Sequence, residues 1–190
     1  ILLAKDKEGY QNLSKLVSIG FVDGYYYKPR IDLEVLEKYS KGLICLSACL
    51  AGSLNQALLN GENEKAEEIA LWHKNLVGKD YYIEIQNNGL KEQVLANQRL
   101  VQLARKLDIP LVATNDAHYL RKEDADAQDS LLCLQTNADK SDPNRFHFPN
   151  NEFYVKSQEE MRQAFSWMDD ATFNECVQNT EDFAAKCNVE

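Results

Sequence analysis

Three short, mainly apolar runs alternate with two helical patterns in the middle of this chain. The first two runs lie at 42–47 and 81–86, the third begins at residue 111 of the stretch 111–118, and the helical patterns between them lie at 63–77 and 90–107. Apolar runs of this length, bounded by turn-forming residues, are typical of strands that are covered on both faces. A strand-helix-strand-helix-strand order favours parallel strands joined by right-handed crossovers. We therefore predict an α/β fold with a parallel sheet.

Residues able to bind a metal follow two of these strands. Cys49 comes just past the first strand, and Asp116 and His118 come just past the third. In extended backbone, residues i and i+2 point the same way, so Asp116 and His118 are predicted to aim at one point. Ligands of parallel α/β folds bind at the carboxyl ends of the strands. Thiolate, carboxylate and imidazole donors suit Zn²⁺, Mn²⁺ or Fe²⁺. The hypothesis is a metal site, and the alternative for the Asp-x-His triplet is a surface turn.

Four further residues are candidates for contacts at this site. Glu84 and Gln86 share one face of the middle strand, which points toward the proposed site. They either support the metal ligands from behind or face solvent, and both interpretations stay open. Lys28 and Arg30 lie in an aromatic loop at 24–30. That loop is either packed on the surface or placed at the mouth of the site, where a cation could meet an anionic group.

The remaining chain is predicted to be mainly helical. Ser157 begins a capping-box pattern that opens a helix through residue 165. The other predicted elements are helices at 7–19, 122–136 and 171–187, a short helix with Asp32 as N-cap, a long loop at 137–151 and a short strand at 153–155.

Charge and cysteine content narrow the function classes. The chain has 30 acidic and 21 basic residues, a net charge of −9, which argues against a nucleic-acid groove in this region. Five cysteines without a C-x-x-C pair predict neither a disulfide framework nor a zinc ribbon, which indicates a reducing, cytoplasmic compartment. We find no apolar run long enough for a membrane span. Because the chain begins at Ile1 without methionine, we expect a piece of a larger protein.

Several motifs together resemble one family. In order along the chain they are LLAK at 2–5, GYQNL at 9–13, YYKPRID at 26–32, LSACLAG at 46–52, ATNDAHYL at 113–120 and DPNRF at 142–146. The sequence is similar along essentially its whole length to the alpha subunits of bacterial DNA polymerase III. The matching region is the later part of their PHP (polymerase and histidinol phosphatase) domain.

The resemblance implies a fold and a domain division. The PHP domain of this family is a distorted (β/α)₇ barrel, so residues 1–150 are expected to be its C-terminal part. Residues 151–190 are expected to form a connector with helices leading toward the polymerase palm. Carried over residue by residue, Cys49 matches the cysteine ligand of the PHP metal cluster. Asp116 and His118 match its final ligand pair, and the other ligands are expected to precede Ile1.

The function implied by the resemblance has two layers. The parent would be a DNA-directed DNA polymerase, a nucleotidyltransferase that uses Mg²⁺ and acts on a DNA primer-template and dNTPs. Its catalytic carboxylates are expected beyond Glu190, so the fragment alone is expected to be inactive. The PHP part would bind Zn, Mn or Fe and serve either 3′–5′ proofreading or the docking of a separate exonuclease subunit. Further expected partners are the sliding clamp and the clamp loader, with no membrane.

Two other hypotheses stay open. The first is a stand-alone PHP-type phosphoesterase that hydrolyses a small phosphate ester with the same metal chemistry. The second is a purely structural PHP module whose ligands no longer serve catalysis.

Overall fold

The fold is organised around a four-stranded sheet in the order β1-β2-β3-β4. The computed structural model describes all residues from 1 to 190. Strands β2, β3 and β4 are parallel, which confirms the prediction for the three central runs, whereas β1 pairs antiparallel with β2 and was not predicted. The strands are β1 (Leu2–Ala4), β2 (Leu43–Leu46), β3 (Tyr81–Gln86) and β4 (Leu111–Thr114).

Eight α-helices accompany the sheet. The predicted helices between the strands are confirmed, and a seven-residue helix, α3, also lies between β2 and β3. The helices are α1 (Lys7–Val22), α2 (Leu33–Lys38), α3 (Ser53–Leu59), α4 (Asn63–Val77), α5 (Lys91–Leu107), α6 (Ala125–Thr136), α7 (Gln158–Ala164) and α8 (Asp170–Lys186). Two N-caps match the sequence signals, since Asp32 accepts from the N–H of Val35 and Ser157 forms a capping box with Glu160.

The two faces of the sheet differ in what covers them. On one face, Ile83 and Ile85 of β3 pack in the main core together with Leu100 of α5. On the other face, Tyr82 packs with Val112 in a smaller cluster. Because side chains alternate along a strand, Glu84 and Gln86 share the face of Tyr82. The smaller cluster is apolar at the amino ends of the strands, and the polar residues of β3 follow it toward the carboxyl ends.

The C-terminal helix α8 packs against β4 and closes one edge of the molecule. Its residues Phe173 and Cys176 are buried in the main core, and Phe183 packs against Tyr82 of the smaller cluster. The amide of Asn179 donates to the carbonyl of Leu111 over 2.9 Å. The C-terminal segment therefore shares the core of the strands. The domain division at residue 150 stays a prediction, as does closure of the sheet into a barrel.

Two predicted elements after β4 turned out differently. Residues 153–155 do not form a strand, since Tyr154 makes only a single bridge with Tyr119. The predicted helix at 122–136 begins with a short 3₁₀ turn and becomes α-helical from Ala125. The long loop at 137–151 is confirmed, and no helix of the protein is both long and apolar enough to cross a membrane.

Candidate metal centre

The segment after β4 brings Asp116 and His118 together. Asp116 adopts a left-handed backbone conformation with φ of +46°, and His118 donates its backbone N–H to the carbonyl of Phe153 over 2.7 Å. These features turn the chain so that Oδ1 of Asp116 lies 3.4 Å from Nε2 of His118. The side chains are 31% and 42% exposed, so both are open to a ligand from solvent. The predicted pairing of the two side chains is therefore present.

The separation of these two atoms suits a shared metal ion. Zinc–ligand bonds of about 2.0–2.1 Å in tetrahedral geometry place two ligand atoms about 3.3 Å apart. An N–H···O hydrogen bond is normally shorter, at about 2.9–3.0 Å. Asp116 and His118 therefore fit two neighbouring positions around a divalent metal in both chemistry and spacing.

Two aromatic side chains pack against the imidazole of His118. Its ring centroid lies 4.7 Å from that of Phe148 and 5.9 Å from that of Phe153. The two phenyl rings also contact each other, with centroids 4.6 Å apart. The two phenyl rings therefore form an aromatic surface along one side of the imidazole, which leaves its other side open to solvent.

The loop after β2 holds Cys49 in a tight turn. Ala48, just before it, has a φ of +65°, and the carbonyl of Cys49 accepts from the N–H of Gly52 over 2.8 Å. The amide of Asn55 also donates to this carbonyl over 3.1 Å. The Cys49 residue is half-buried. It lines a small polar cavity together with Asn55, Glu84, Gln86, Gln93 and Asn97.

The candidate ligands thus follow two strands of the same sheet, as a pair after β4 and a single cysteine after β2. Asp116 and His118 form one pair, and Cys49 lies in the cavity beside Glu84. No group of three or more His, Cys, Asp or Glu side chains in the chain is arranged to hold a metal ion. A single centre that includes Cys49, Asp116 and His118 stays a prediction.

Glu84 and Gln86 are not solvent-facing. Their residues are only 2% and 6% exposed, so the interpretation of an ordinary surface position is wrong. Oε1 of Gln86 is buried and has no hydrogen-bond partner. A buried amide oxygen without a partner is costly, so Oε1 of Gln86 is an unsatisfied acceptor on a residue that lines the same small cavity as Cys49.

The aromatic loop with Lys28 and Arg30 lies against α1. The guanidinium of Arg30 sits over the ring of Tyr26, 5.5 Å from its centroid, and Arg30 also lines an apolar groove beside Leu13 and Val17 of α1. These contacts are those of a packed surface loop. A contact of Lys28 or Arg30 with an anionic ligand stays a prediction.

Sequence analysis did not predict that Asn88, just after β3, bonds to the chain just after β4. The amide of Asn88 donates to the carbonyl of Asn115 over 3.0 Å and to that of Glu152 over 3.2 Å. Lys156 is almost fully buried and lies over the ring of Tyr154, 4.4 Å from its centroid. Burial lowers the pKa of the Lys156 amine, although Glu152 acts in the opposite direction. The hydrogen-bond partners of Asn88 lie at Asn115 and Glu152, far away in the sequence, so no local pattern indicates them.

Comparison with known proteins gives consistent results. The PHP domain profile matches residues 1–88, a range that includes Cys49 and Glu84 and ends before Asp116. The chain is 48% identical over 188 residues to the DNA polymerase III subunit alpha of Borreliella burgdorferi, covering 99% of this chain and 16% of the relative. It is 48% identical to that of Deinococcus radiodurans and 45% identical to that of Thermus aquaticus, in each case over 192 residues and 100% of this chain. These two alignments cover 14% and 15% of the relatives, so the chain spans about one seventh of their length.

Proposed function

The chain belongs to the family of bacterial DNA polymerase III alpha subunits, with a PHP-domain match at 1–88, and on this premise we propose that it contributes Cys49, Asp116 and His118 to a divalent-metal centre. The proposed activity of that centre is hydrolysis of the 3′ end of DNA in the 3′–5′ direction. The observation that carries the proposal is the separation of 3.4 Å between Oδ1 of Asp116 and Nε2 of His118. It supports binding of a metal because this is the spacing of two ligands on one tetrahedral ion.

Each proposed ligand has a distinct chemical role. Asp116 supplies an anionic oxygen, His118 supplies a neutral nitrogen, and Cys49 supplies sulfur as a thiolate. A thiolate favours zinc or iron over magnesium, so the centre is proposed to hold Zn, Mn or Fe. When bound, such ions lower the pKa of water and stabilise the negative charge that builds on a scissile phosphate. Phe148 and Phe153 pack along one side of the His118 ring and leave its other side accessible to a metal ion.

The activity of the whole subunit is part of the same proposal. We infer that the full-length protein is a DNA-directed DNA polymerase of the cytoplasm that acts on a primer-template and dNTPs with Mg²⁺. The sliding clamp, the clamp loader and an exonuclease subunit are its proposed partners. The net charge of −9 disfavours a DNA-binding groove in this chain, so binding of the duplex is assigned to the rest of the subunit.

The proposal is tested in the full-length subunit with the variants Asp116→Ala and His118→Ala. Primer extension should be unchanged, while 3′–5′ hydrolysis and the metal content of the purified protein should fall, hydrolysis on the order of 100-fold or more. Glu64→Ala is a matched control, because Glu64 is an exposed carboxylate on α4.

Three results would overturn the proposal in different ways. Loss of extension with unchanged hydrolysis would reverse the assigned roles. A fall in both activities with a lower melting temperature would favour a structural PHP module. Hydrolysis that is absent from the purified wild-type subunit, but present when an exonuclease subunit is added, would favour a docking role.

A further inference from the structure

Glu84 is a buried carboxylate at the centre of the sheet edge that carries the proposed ligands. It lies on β3, between β2 and β4, and is only 2% exposed. None of the ion pairs in the chain includes Glu84. A buried carboxylate without a cation is unfavourable unless hydrogen-bond donors surround it. The positions of those donors therefore show which segments of the chain the carboxylate connects.

The donors come from both neighbouring strands. Oε2 of Glu84 accepts the backbone N–H of Ala48 over 3.1 Å. Oε1 accepts the hydroxyl of Thr114 and, over 2.9 Å, the amide of Gln86. The backbone N–H of Glu84 in turn donates to the hydroxyl of Ser47 over 2.9 Å. One side chain is thus bonded to the loop after β2 and to the last residue of β4.

These attachment points lie next to the proposed metal ligands. Ala48 directly precedes Cys49, and Thr114 lies two residues before Asp116. Ala48 and Asp116 both have left-handed backbone conformations, which residues with a side chain rarely adopt. Such conformations persist only where surrounding contacts fix them. Glu84 supplies a fixing contact in the Cys49 loop directly and in the Asp116 loop through Thr114.

We propose that Glu84 is a positioning residue that sets Cys49 and Asp116 in register for one metal centre. The inference rests on the proposed function, and it adds a residue that is not itself a ligand. Both oxygens of the carboxylate are needed, because one binds each loop. A glutamine at this position loses an acceptor in either orientation, because its NH₂ group faces the backbone N–H of Ala48 in one and the NH₂ group of Gln86 in the other.

Cobalt(II) binding to the full-length subunit provides the test, because a thiolate bound to cobalt gives a charge-transfer absorption band. Glu84→Gln should weaken cobalt binding about 10- to 100-fold, the usual effect of removing a group that orients a metal ligand, and should reduce the band from Cys49. Thr114→Val removes the hydroxyl that bonds Glu84 and Gln86 to β4 but keeps the bond between Glu84 and Ala48, so it should weaken binding while the Cys49 band remains. Asp80→Asn is the matched control, since Asp80 is a buried carboxylate at the opposite end of β3.

A second readout does not depend on the metal. Amide hydrogen exchange in the metal-free subunit should become faster at 47–55 and at 114–118 in Glu84→Gln, and should stay at the wild-type rate in these segments in Asp80→Asn. Wild-type cobalt affinity and exchange rates in Glu84→Gln would overturn the positioning role and leave the proposed function intact. If Asp80→Asn lost cobalt binding to the same extent, the loss in Glu84→Gln would reflect general stability. That result would also overturn the positioning role. Absence of the thiolate band in the wild-type protein, or its persistence in Cys49→Ser, would instead refute the metal centre itself.

Discussion

The backbone N–H of Ala48 donates to Oε2 of Glu84 over 3.1 Å, and it does so from a left-handed conformation with φ of +65°. Asp116 adopts a φ of +46° at the equivalent place, two residues after the end of its own strand. Unfavourable backbone conformations concentrate at functional sites, where the surrounding structure holds them. The two loops that carry the proposed ligands therefore share the same kind of local strain.

The first prediction concerns that strain. Ala48→Gly should leave the free energy of unfolding unchanged or raise it by up to about 1 kcal/mol. A left-handed conformation costs a residue with a Cβ about 1–2 kcal/mol, and the greater backbone freedom of glycine offsets about 0.5–1 kcal/mol of the gain. Urea denaturation of the chain measures the change. Ala127→Gly, at an exposed position in α6, should lose about 1 kcal/mol as the control. If Ala48→Gly lost as much free energy of unfolding as Ala127→Gly, that result would contradict backbone strain at Ala48.

The second prediction concerns acid stability. Asp80 binds Lys5 over 2.5 Å and Lys186 over 2.9 Å, joining β1 and α8 at the amino end of β3. Burial raises the pKa of Asp80, but the hydrogen bonds and charges of Lys5 and Lys186 outweigh it, so this pKa lies below its ordinary value. A lowered pKa in the folded state stabilises the fold above the ordinary aspartate pKa of about 3.9, and this stabilisation is lost as the pH falls through the folded-state pKa.

The variant Asp80→Asn removes this contribution. At pH 7 it should lower the free energy of unfolding by about 1–3 kcal/mol, and the loss of stability as the pH falls below about 4 should become shallower. Urea denaturation at several pH values measures both effects. Glu64→Gln, on an exposed helix surface, should keep the wild-type pH profile. If Asp80→Asn and the wild-type protein lost stability in parallel on acidification, the ion pairs would not be the source of the acid sensitivity.

The third prediction concerns the loop at 137–151. Arg145 forms a two-point ion pair with Asp129 of α6, with N–O distances of 2.6 and 2.7 Å, and the same loop places Phe148 on His118. Arg145→Lys should therefore make the loop several-fold more sensitive to limited proteolysis, because lysine cannot make the two-point contact. The exposed ion pair between Lys41 and Glu8 provides a control, since Lys41→Met should not alter cleavage of the loop at 137–151. Unchanged cleavage in Arg145→Lys would show that the loop is held by other contacts.

The fourth prediction concerns thiol reactivity. Burial raises the pKa of Cys45 and raises that of Cys176 to about 12, so neither forms appreciable thiolate at neutral pH. Iodoacetamide reacts with thiolates, and it should modify exposed Cys187 readily while it spares these two. In the full-length subunit, added zinc should slow the modification of Cys49 and leave that of Cys187 unchanged. Equal protection of both cysteines would mean that zinc does not bind Cys49 selectively.

Much of the fold was predictable because its signals are local. The helix at 63–77 and the strand at 81–86 agree with the structure to the residue, since periodicity and turn residues define both. The strand at Leu2–Ala4 is too short to show a period, and its pairing with β2 depends on contacts about 40 residues away. The helix at Ser53–Leu59 has only two turns, and much of its burial comes from packing between elements that the sequence does not display.

One feature of the candidate site, the proximity of Asp116 and His118, was predicted from the sequence, but the structure achieves it in a different way. The pairing of Asp116 with His118 was inferred from alternation in extended backbone, whereas the structure achieves it through a left-handed turn at Asp116. The burial of Glu84 depends on the register of three strands, because its partners Ala48 and Thr114 lie on the two neighbouring strands' ends. No local pattern distinguishes a buried glutamate on a strand from one that faces solvent.

The most direct test of the metal centre is a crystal structure of the full-length subunit grown with zinc, with anomalous diffraction measured on both sides of the zinc absorption edge. We expect anomalous peaks within about 2.0–2.3 Å of Sγ of Cys49, of a carboxylate oxygen of Asp116 and of Nε2 of His118, all belonging to one cluster. A position of the Cys49 sulfur more than about 10 Å from both other side chains would contradict a shared centre, since ligands of one ion lie within bonding distance of it.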